Sequence, residues 1–538
     1  MNCKTFNKKL QNYIENDSNE KLNKQMKEHI ESCEGCQRLY KERLEINGLF
    51  KGLFKTPSYM SQRDEILSQL DNRYYDKSYF NKIFYHFNRN KFRYFTAMVC
   101  SLLLIFTLPV MKDAANKNIR EVKVSEERGK IFDREGNELV YSRSSNGSSS
   151  KQNDFLIDIL GITDKDGNGL AGIEKQYDDD LRNGKNLTLT VDSSIQDFVE
   201  KYAEITLKDN KARGVTIIVM NPKNGEVIAM ANKSDHNTSN TIKASDEMGS
   251  TIRNRSVSDT FAPGSMFKVI TASAAMAEGL IKENEEFVCD GSTRVSDRTI
   301  KCWNTQGHGE QNFEELLQNS CSVGFVELAE RLGAVKLNQY MESFGLGQKT
   351  GIDLPEEVSG TLGKIENISE LESATMALGL NNTVSSIQFL AAFNAIANQG
   401  EWVRPHFMKQ IETQNSQSKK VIQKDYNDFS KRKVLDTNTA KLLCEYLRKV
   451  ISEGGGNKAY IKGYDIAGIA GTAQKLNKDL GIYEGGKYIS SFVGMAPAND
   501  AKVTVYVSID EPDPDNYYAG QIAAVVGKEV FQYILSNY

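Results

Sequence analysis

A run of eighteen residues without a charged side chain divides this sequence and limits its fold more than any other feature. The run occupies residues 94–111 (YFTAMVCSLLLIFTLPVM) and is bounded by Arg93 and Lys112. A helix of that length rises about 27 Å, enough to cross the hydrocarbon core of a bilayer. Basic residues dominate the preceding flank, so the positive-inside rule predicts one transmembrane helix with the N-terminus in the cytoplasm. A helix buried in a protein core is the alternative.

The span separates a small N-terminal region from a large C-terminal one. With 538 residues, 39% hydrophobic and 26% charged, the chain is too long for one hydrophobic core and has a globular composition. The predicted location is the cell membrane, crossed once, with the C-terminal region outside. A formal net charge of -4 argues against direct binding of nucleic acid, which selects basic proteins. The predicted segments are a small domain at 1–50, juxtamembrane helices at 51–93, the transmembrane helix at 94–111, a linking region at 112–213 and the main domain at 214–538.

Four potential metal ligands, Cys3, His29, Cys33 and Cys36, lie close to the N-terminus. His29 and Cys33 are four positions apart and share one face of a helix, and Cys36 follows after a short turn. With Cys3 they form a Cys3His set, which is typical of a closed structural zinc site. Reduced thiols in the cytoplasm favour a metal over a disulfide. A redox disulfide within this set and a chance grouping of polar residues are the alternatives.

The sequence around these ligands resembles the zinc-binding anti-sigma domain over residues 1–50. It has an early cysteine, a helix that ends in H-x3-C-x2-C and a second amphipathic helix. The resemblance implies a small all-α domain that holds Zn²⁺ with these four ligands and binds a sigma factor. Apolar positions after the motif provide a face for that partner, and they equally suit packing within the domain itself. They are Leu39, Leu44, Ile46, Leu49 and Phe50.

Beyond residue 214, β-branched runs alternate with helical patterns, which predicts an α+β domain with a sheet flanked by helices. The link at residues 221–225 reads as a hairpin turn between the first two strands. The predicted strands are 214–220, 225–230, 488–495 and 503–509, and the predicted helices include 267–277, 313–332 and 523–535.

The chemistry of this domain begins at Ser265 and Lys268, which follow a Pro-Gly loop. A residue three positions along a helix lies on the same face, so the Lys268 amine is expected beside the Ser265 hydroxyl. A lysine whose pKa is lowered by burial activates a serine as a nucleophile. The S-x-x-K pattern alone is weak, because a chain of this length contains such matches by chance.

Several further segments resemble class B penicillin-binding proteins, in order and at similar spacing, from residue 128 to the C-terminus. The resemblance implies the serine D,D-transpeptidase fold with a reduced pedestal at 112–213, a cleft for peptidoglycan stem peptides or β-lactams such as penicillin, and no cofactor in this domain. The segments are RGKIFDREG at 128–136, NR at 254–255, Cys302 with His308 and Gly309, GLG at 345–347, GIDLP at 351–355, AG at 467–468, GTAQ at 471–474 and SFVG at 491–494.

The sequence departs from that family in two of its three active-site motifs. The S-x-x-K motif is intact, the S-x-N motif reads Ser320-Cys321-Ser322, and the K-T-G motif reads Ile469-Ala470-Gly471. The lysine and threonine of the third motif bind a substrate carboxylate in the family, and Ile469 cannot carry charge. Losing a hydrogen bond to a charged group costs about 1.5–3 kcal/mol, or roughly 10- to 100-fold in affinity.

The resemblance also assigns roles to the positions that remain. Ser320 would relay protons between the nucleophile and the leaving group, and the backbone N–H groups of Ser265 and Thr472 would form the oxyanion hole. Ser322, Gly471 and Thr472 would contact the substrate. A disulfide between Cys289 and Cys302 is left open, because sequence does not give their distance.

These patterns lead to a main interpretation and two alternatives. The main one is a single-pass regulator, in which a degenerate transpeptidase domain senses β-lactams or wall peptides by binding or by one acylation of Ser265, and the zinc domain binds a sigma factor. The first alternative is an active D,D-transpeptidase in septal or spore wall synthesis, which requires another cation, with Arg255, Lys462 and Lys475 as candidates. The second is a scaffold that binds the wall without catalysis.

Overall fold

The structure, a computed structural model, describes residues 20–33, 36–37, 40, 128–139, 156–164, 166–235, 253–365, 368–414, 420–426, 430–477 and 482–537. The chain divides into two units, Met1–Val122 and Lys123–Tyr538. The transmembrane helix predicted at 94–111 lies outside the described residues. Within the described ranges, no helix has both the length and the apolar character needed to cross a bilayer. The first unit contributes helix α1, Glu20–Ser32.

The second unit contains all the described strands. In chain order they are β1 (Ile131–Phe132), β2 (Asn186–Leu189), β3 (Gly214–Met220), β4 (Val227–Ser234), β5 (Phe287–Cys289), β6 (Ser292–Val295), β7 (Arg298–Lys301), β8 (Gly309–Gln311), β9 (Glu401–Val403), β10 (Met408–Gln414), β11 (Lys420–Asp425), β12 (Lys431–Lys433), β13 (Ala467–Asn477), β14 (Ile482–Ala496) and β15 (Val503–Asp510).

The helices of the second unit continue the numbering from α1, and two short 3-10 turns cover Gly264–Phe267 and Asn457–Ala459. The helices are α2 (Ile157–Leu160), α3 (Gly172–Gln176), α4 (Asp178–Arg182), α5 (Ser193–Asp209), α6 (Arg255–Ser258), α7 (Lys268–Ala277), α8 (Phe313–Gln318), α9 (Ser322–Leu332), α10 (Ala334–Ser343), α11 (Glu370–Ala377), α12 (Ser386–Ala397), α13 (Thr437–Ser452) and α14 (Ala523–Asn537).

A five-stranded antiparallel sheet forms the centre of this unit, in the order β13-β14-β15-β3-β4. Every residue of β3 is buried, because the sheet is covered on both faces. Val215, Ile217 and Val219 pack in one hydrophobic cluster with α5 and α14. Ile218 and Met220 point the other way, into the cluster that contains α7 and α12. The hairpin predicted at residues 221–225 is confirmed, since β3 and β4 pair directly.

The helix predicted over residues 313–332 is interrupted at the second active-site motif. α8 ends at Gln318, and Ser320 has a left-handed φ of 48°. Ser320 N–H donates to Leu317 O and Cys321 N–H to Leu316 O, the pattern of a Schellman C-cap. Glycine normally occupies the left-handed position, and a serine there costs about 1–2 kcal/mol. α9 then begins at Ser322 and places the motif on a corner between two helices.

Candidate active site

Ser265 lies in a 3-10 turn, Gly264–Phe267, that leads directly into α7. Side chains three positions apart eclipse in such a turn, so Ser265 and Lys268 lie on the same side. Gly264 has a φ of 55°, and a Cβ on it would lie 2.9 Å from the Cβ of Ala473 on β13. A glycine is therefore required for the turn to approach the sheet. The structure begins α7 at Lys268, one residue after the start predicted at residue 267.

The Lys268 amine is buried beneath the cleft, with only 1% of the residue exposed. Its Nζ donates to Ser320 O at 2.6 Å and lies 3.2 Å from both Ser320 Oγ and Ser322 Oγ. Burial lowers the pKa of Lys268 to about 8, although the nearby Cys302 and Cys321 act in the opposite direction. A substantial fraction of the amine is therefore neutral near physiological pH and can accept a proton.

The first and second motifs thus meet through hydrogen bonds to one amine. Ser322, which stands where the family has asparagine, still contributes a hydroxyl group to Lys268. The left-handed conformation of Ser320 brings its hydroxyl and its carbonyl oxygen to the same Nζ atom. Backbone strain of this kind concentrates at functional sites, where other contacts over-determine it.

Strand β13 forms the opposite wall and is an edge strand of the central sheet. A Cβ on Gly471 would lie 2.5 Å from the backbone nitrogen of Met266, so only glycine allows this strand to approach the Ser265 turn. Thr472 is fixed by its hydroxyl oxygen, which accepts a hydrogen bond from Ala519 N at 2.9 Å. Both Gly471 and Thr472 line the same cleft as Ser265 and Ser320.

The cleft has a volume of about 740 Å³. Among the described residues that line it, none is lysine or arginine, and Glu453 is the only charged side chain. Apart from Glu453, the described lining residues therefore offer neutral hydrogen-bonding groups to a ligand. The lining residues are Ser265, Trp303, Leu317, Gln318, Asn319, Ser320, Val450, Glu453, Gly454, Gly455, Gly456, Ile469, Ala470, Gly471, Thr472, Gln474, Tyr488, Tyr517, Tyr518, Ala519, Gly520 and Gln521.

The position of the missing family lysine is apolar in three dimensions as well as in sequence. Ile469 is 1% exposed and belongs to the main hydrophobic cluster. Two of the cations considered as replacements are engaged elsewhere: Arg255 Nη2 lies 2.6 Å and Lys475 Nζ 2.8 Å from the carboxylate of Asp510. The third, Lys462, is not among the described residues that line the cleft. None of the three candidates therefore replaces the lysine.

An aromatic wall at the cleft mouth has no counterpart in the sequence predictions. The rings of Tyr488 and Tyr517 stack with centroids 3.8 Å apart, and those of Tyr517 and Tyr518 with centroids 4.6 Å apart. Trp303 lines the same cleft and is 67% exposed. Stacked, partly exposed rings bind flat or apolar portions of a ligand. The adjacent tyrosines at 517–518, in a loop before the last helix, were the available sequence signal.

In the first unit, three of the four predicted metal ligands lie together. The ligand atoms of His29, Cys33 and Cys36 are all within 4.8 Å of one another. Cys33 N–H donates to His29 O at 3.0 Å, so the residues share the end of α1 as their spacing predicted. Cys3, the fourth predicted ligand, lies outside the described residues.

Comparison with known proteins identifies the family. The sequence profile described as the penicillin binding protein transpeptidase domain matches residues 215–532. Stage V sporulation protein D of Bacillus subtilis is 36% identical over 401 residues, which cover 69% of this chain and 61% of that protein. The penicillin-binding protein PbpB of Mycolicibacterium smegmatis is 29% identical over 425 residues, or 71% of this chain and 64% of the relative. The chain thus spans about three fifths of the length of these two relatives.

Solved structures give the same result. Penicillin binding protein 3 from Mycobacterium tuberculosis, in its apo form, superposes with a TM-score of 0.67 at 26% identity, over 76% of this chain and 96% of that one. That protein has also been solved in complexes with aztreonam and with ampicillin. The transpeptidase domain of Burkholderia pseudomallei penicillin-binding protein 3 gives a TM-score of 0.55 at 26% identity, over 65% of this chain and 95% of that one.

These findings overturn the interpretation of the chain as a regulator with a degenerate, β-lactam-sensing domain and a sigma-factor partner. A relative from Buchnera aphidicola, 28% identical over 407 residues, is named peptidoglycan D,D-transpeptidase FtsI, which favours the enzyme interpretation. The missing charge at Ile469 does not extend to the helical side of the cleft, where the structure keeps the buried amine and its serine partners together. The fold, the profile match and the relatives agree, and this chain belongs to the penicillin-binding protein transpeptidase family.

Proposed function

We propose that this protein is a peptidoglycan D,D-transpeptidase that uses Ser265 as its nucleophile. The observation that carries the proposal is the Lys268 amine, buried below the cleft that Ser265 lines and hydrogen-bonded to Ser320 and Ser322. A buried amine with a pKa of about 8 is a general base suited to activating a hydroxyl near neutral pH.

The reaction has two acyl-transfer steps. Ser265 Oγ attacks the carbonyl carbon of the peptide bond between the two terminal D-alanines, and Lys268 Nζ accepts the hydroxyl proton. Ser320 Oγ, 3.2 Å from that amine, passes a proton to the departing D-alanine nitrogen. The acyl group stays on Ser265 as an ester until the amine of a second stem peptide displaces it and restores the hydroxyl. The backbone N–H groups of Ser265 and Thr472 stabilise the oxyanion in both steps.

The lack of lysine and arginine among the described lining residues of the cleft predicts weak binding of carboxylate ligands by a site that still carries out acylation. With no lysine or arginine among its described lining residues, the terminal carboxylate of the donor is held by neutral groups. Neutral hydrogen bonds are about half as strong as charge-assisted ones, so binding of carboxylates, including β-lactams, is weak. The acylation machinery is nevertheless complete, and turnover is limited by donor affinity.

Fluorescent penicillin labelling of the full chain tests the assignment, together with transfer of a stem pentapeptide to an amine acceptor. The full chain is expected to label slowly and to release D-alanine, and Ser265→Ala is expected to lose both activities. Ser273→Ala is the matched control, because Ser273 is a serine of α7 whose hydroxyl donates to Val269 O within the helix. Labelling that survives in Ser265→Ala, or no acylation at millimolar penicillin, contradicts the proposal.

We also propose that the N-terminal unit binds one zinc ion through Cys3, His29, Cys33 and Cys36. The mutual approach of the last three ligand atoms to within 4.8 Å supports this site. The expected result is loss of about one zinc per chain in Cys33→Ser, measured by elemental analysis against Ser32→Ala, since Ser32 is exposed at the end of the same helix. Unchanged zinc content in Cys33→Ser contradicts the site.

We infer that residues 94–111 anchor the chain in the cell membrane, with the transpeptidase domain outside. The uncharged run and the basic flank before it support this topology. An alkaline phosphatase fused after residue 538 is expected to be active, and one fused after residue 90 inactive. The reverse result contradicts the orientation.

A further inference from the structure

Three cysteines and a histidine converge next to the active site, in a part of the domain that the acyl-transfer chemistry does not use. The ligand atoms of Cys289, Cys302, His308 and Cys321 all lie within 4.8 Å of one another. The three cysteines are at most 2% exposed, and all are free thiols. His308 has a buried Nε2 atom without a hydrogen-bond partner among the described residues.

The local fold brings these residues together from three segments, the end of β5, the loop between β7 and β8, and the corner before α9. Cys289 ends β5 and faces Gly309 on β8, which places it beside His308. Cys302 follows β7 and donates its backbone N–H to Gly291 O at 2.9 Å. Cys321 is the residue before α9.

Two glycines in left-handed conformations allow the loop that carries Cys302 to fold onto the end of β5. A Cβ on Gly291 would lie 2.2 Å from Thr305 O, and a Cβ on Gly307 would lie 2.2 Å from Cys289 O. The segments therefore pack closely only because both positions lack a side chain. This close packing holds Cys289 and Cys302 within reach of each other and of the other two ligand residues.

The distances suit tetrahedral zinc. With Zn–S bonds of about 2.3 Å and a Zn–N bond of about 2.0 Å, tetrahedral geometry separates a sulfur from a nitrogen ligand by roughly 3.5 Å and two sulfurs by roughly 3.8 Å. Cys302 Sγ and His308 Nδ1 are 3.7 Å apart. We propose that Cys289, Cys302, His308 and Cys321 form a closed structural zinc site in the transpeptidase domain.

A disulfide between two of these thiols is the competing explanation for the cluster. A disulfide uses two sulfur atoms and gives no role to the third thiol or to the imidazole. The cluster contains three thiols and one imidazole in mutual reach, which is the complete ligand set of a Cys3His zinc site. The chemistry of the full set therefore favours the metal.

The proposed zinc site affects catalysis through the place of one of its ligands in the chain. Cys321 lies between Ser320 and Ser322, whose oxygens contact Lys268 Nζ. A metal bond to Cys321 fixes this corner and keeps both serines against the amine. This consequence rests on the proposed function, whereas binding of zinc does not.

The test uses the full chain in a Cys33→Ser background, which removes the N-terminal zinc site. We expect about one zinc per chain to remain, to be lost in the further variant His308→Ala and to be retained in His308→Cys, because four thiolates also bind zinc. Cys444→Ser is the matched control, since Cys444 is a buried free cysteine outside the cluster. Absence of zinc from the Cys33→Ser protein overturns the proposal, as does a Cys302–Cys321 disulfide in protein purified without reductant.

A spectroscopic readout covers the case in which His308→Ala does not fold. Replacement of zinc by cobalt gives thiolate-to-metal absorption whose intensity follows the number of sulfur ligands, so His308→Cys is expected to raise it by about one third. An unchanged spectrum overturns the assignment of His308. Penicillin labelling of the Cys289→Ser protein is expected to slow by about ten- to a hundredfold. If no variant labels while the zinc counts hold, the proposed function fails and the zinc site stands.

Discussion

The two walls of the cleft differ in how far they have diverged from the family pattern. The helical wall retains Ser265 in the cleft and keeps the buried Lys268 amine 3.2 Å from the relay hydroxyl of Ser320. The strand wall has lost its cation and presents Ile469 and Ala470 instead. Bond making and ligand anchoring therefore reside on separate elements. Loss of an anchor weakens binding by a limited factor, whereas loss of the base or nucleophile removes the reaction, so divergence in one wall does not imply divergence in the other.

The largest effect is expected from a variant that removes the general base of the helical wall. Lys268→Met is expected to slow acylation by penicillin by about 10²- to 10⁴-fold, because it removes the general base. Stopped labelling reactions on a gel give the rate. Lys336→Met is the matched control, since Lys336 forms an exposed ion pair with Glu278. A Lys268→Met protein that acylates at the original rate would show that another group accepts the Ser265 proton.

Restoring the family residues on the strand wall is expected to speed acylation. The double variant Ile469→Lys, Ala470→Thr is expected to raise the second-order rate of acylation by penicillin about 10- to 100-fold, since it restores a charge-assisted hydrogen bond to the carboxylate. Ile469→Val is the control, because it changes volume without adding a charge. If the folded double variant gains nothing, the carboxylate is bound elsewhere in the cleft.

Those parts of the fold that depend on local sequence patterns could be predicted, and those that depend on one unusual backbone conformation could not. The strands at 214–220 and 503–509 and the hairpin between β3 and β4 follow from β-branched runs and turn residues, whose periodicity is local. The break at Ser320 does not follow, because a serine in a left-handed C-cap carries no compositional signal. The helix predicted across it was wrong for this reason.

Site residues that lie close together in the sequence could be predicted. Clusters formed by residues from distant segments could not. Ser265 and Lys268 were identified by their spacing, and the structure places Ser320, Gly471 and Thr472 in the same cleft. The stacked tyrosines come from distant segments, as do the four residues of the proposed zinc site. Function was misjudged because sequence showed the missing charge at residue 469 and could not show the intact contacts of the amine.

The pH dependence of acylation tests whether Lys268, on the helical wall, is the general base. Burial lowers the pKa of Lys268 to about 8, and the neutral amine is the active base. The neutral fraction rises from about one tenth at pH 7 to about nine tenths at pH 9, so the acylation rate is expected to rise about tenfold over that interval. Initial labelling rates at constant ionic strength measure it. A rate that is flat or falls between pH 7 and pH 9 would exclude Lys268 as the base.

The smallest effect is expected from restoring the second motif. Ser322 stands where the family has asparagine, and its hydroxyl lies 3.2 Å from Lys268 Nζ. Ser322→Asn supplies an amide that can contact both the lysine and the donor peptide, and one neutral hydrogen bond is worth about 0.5–1.5 kcal/mol, or roughly two- to tenfold in rate. The stem-peptide transfer assay measures the change, with Ser322→Ala as the matched loss of the hydroxyl. An increase in peptide transfer without an increase in penicillin acylation would assign the amide to the donor peptide, and a decrease in both would show that the corner formed by Ser320 and Ser322 has adapted to serine.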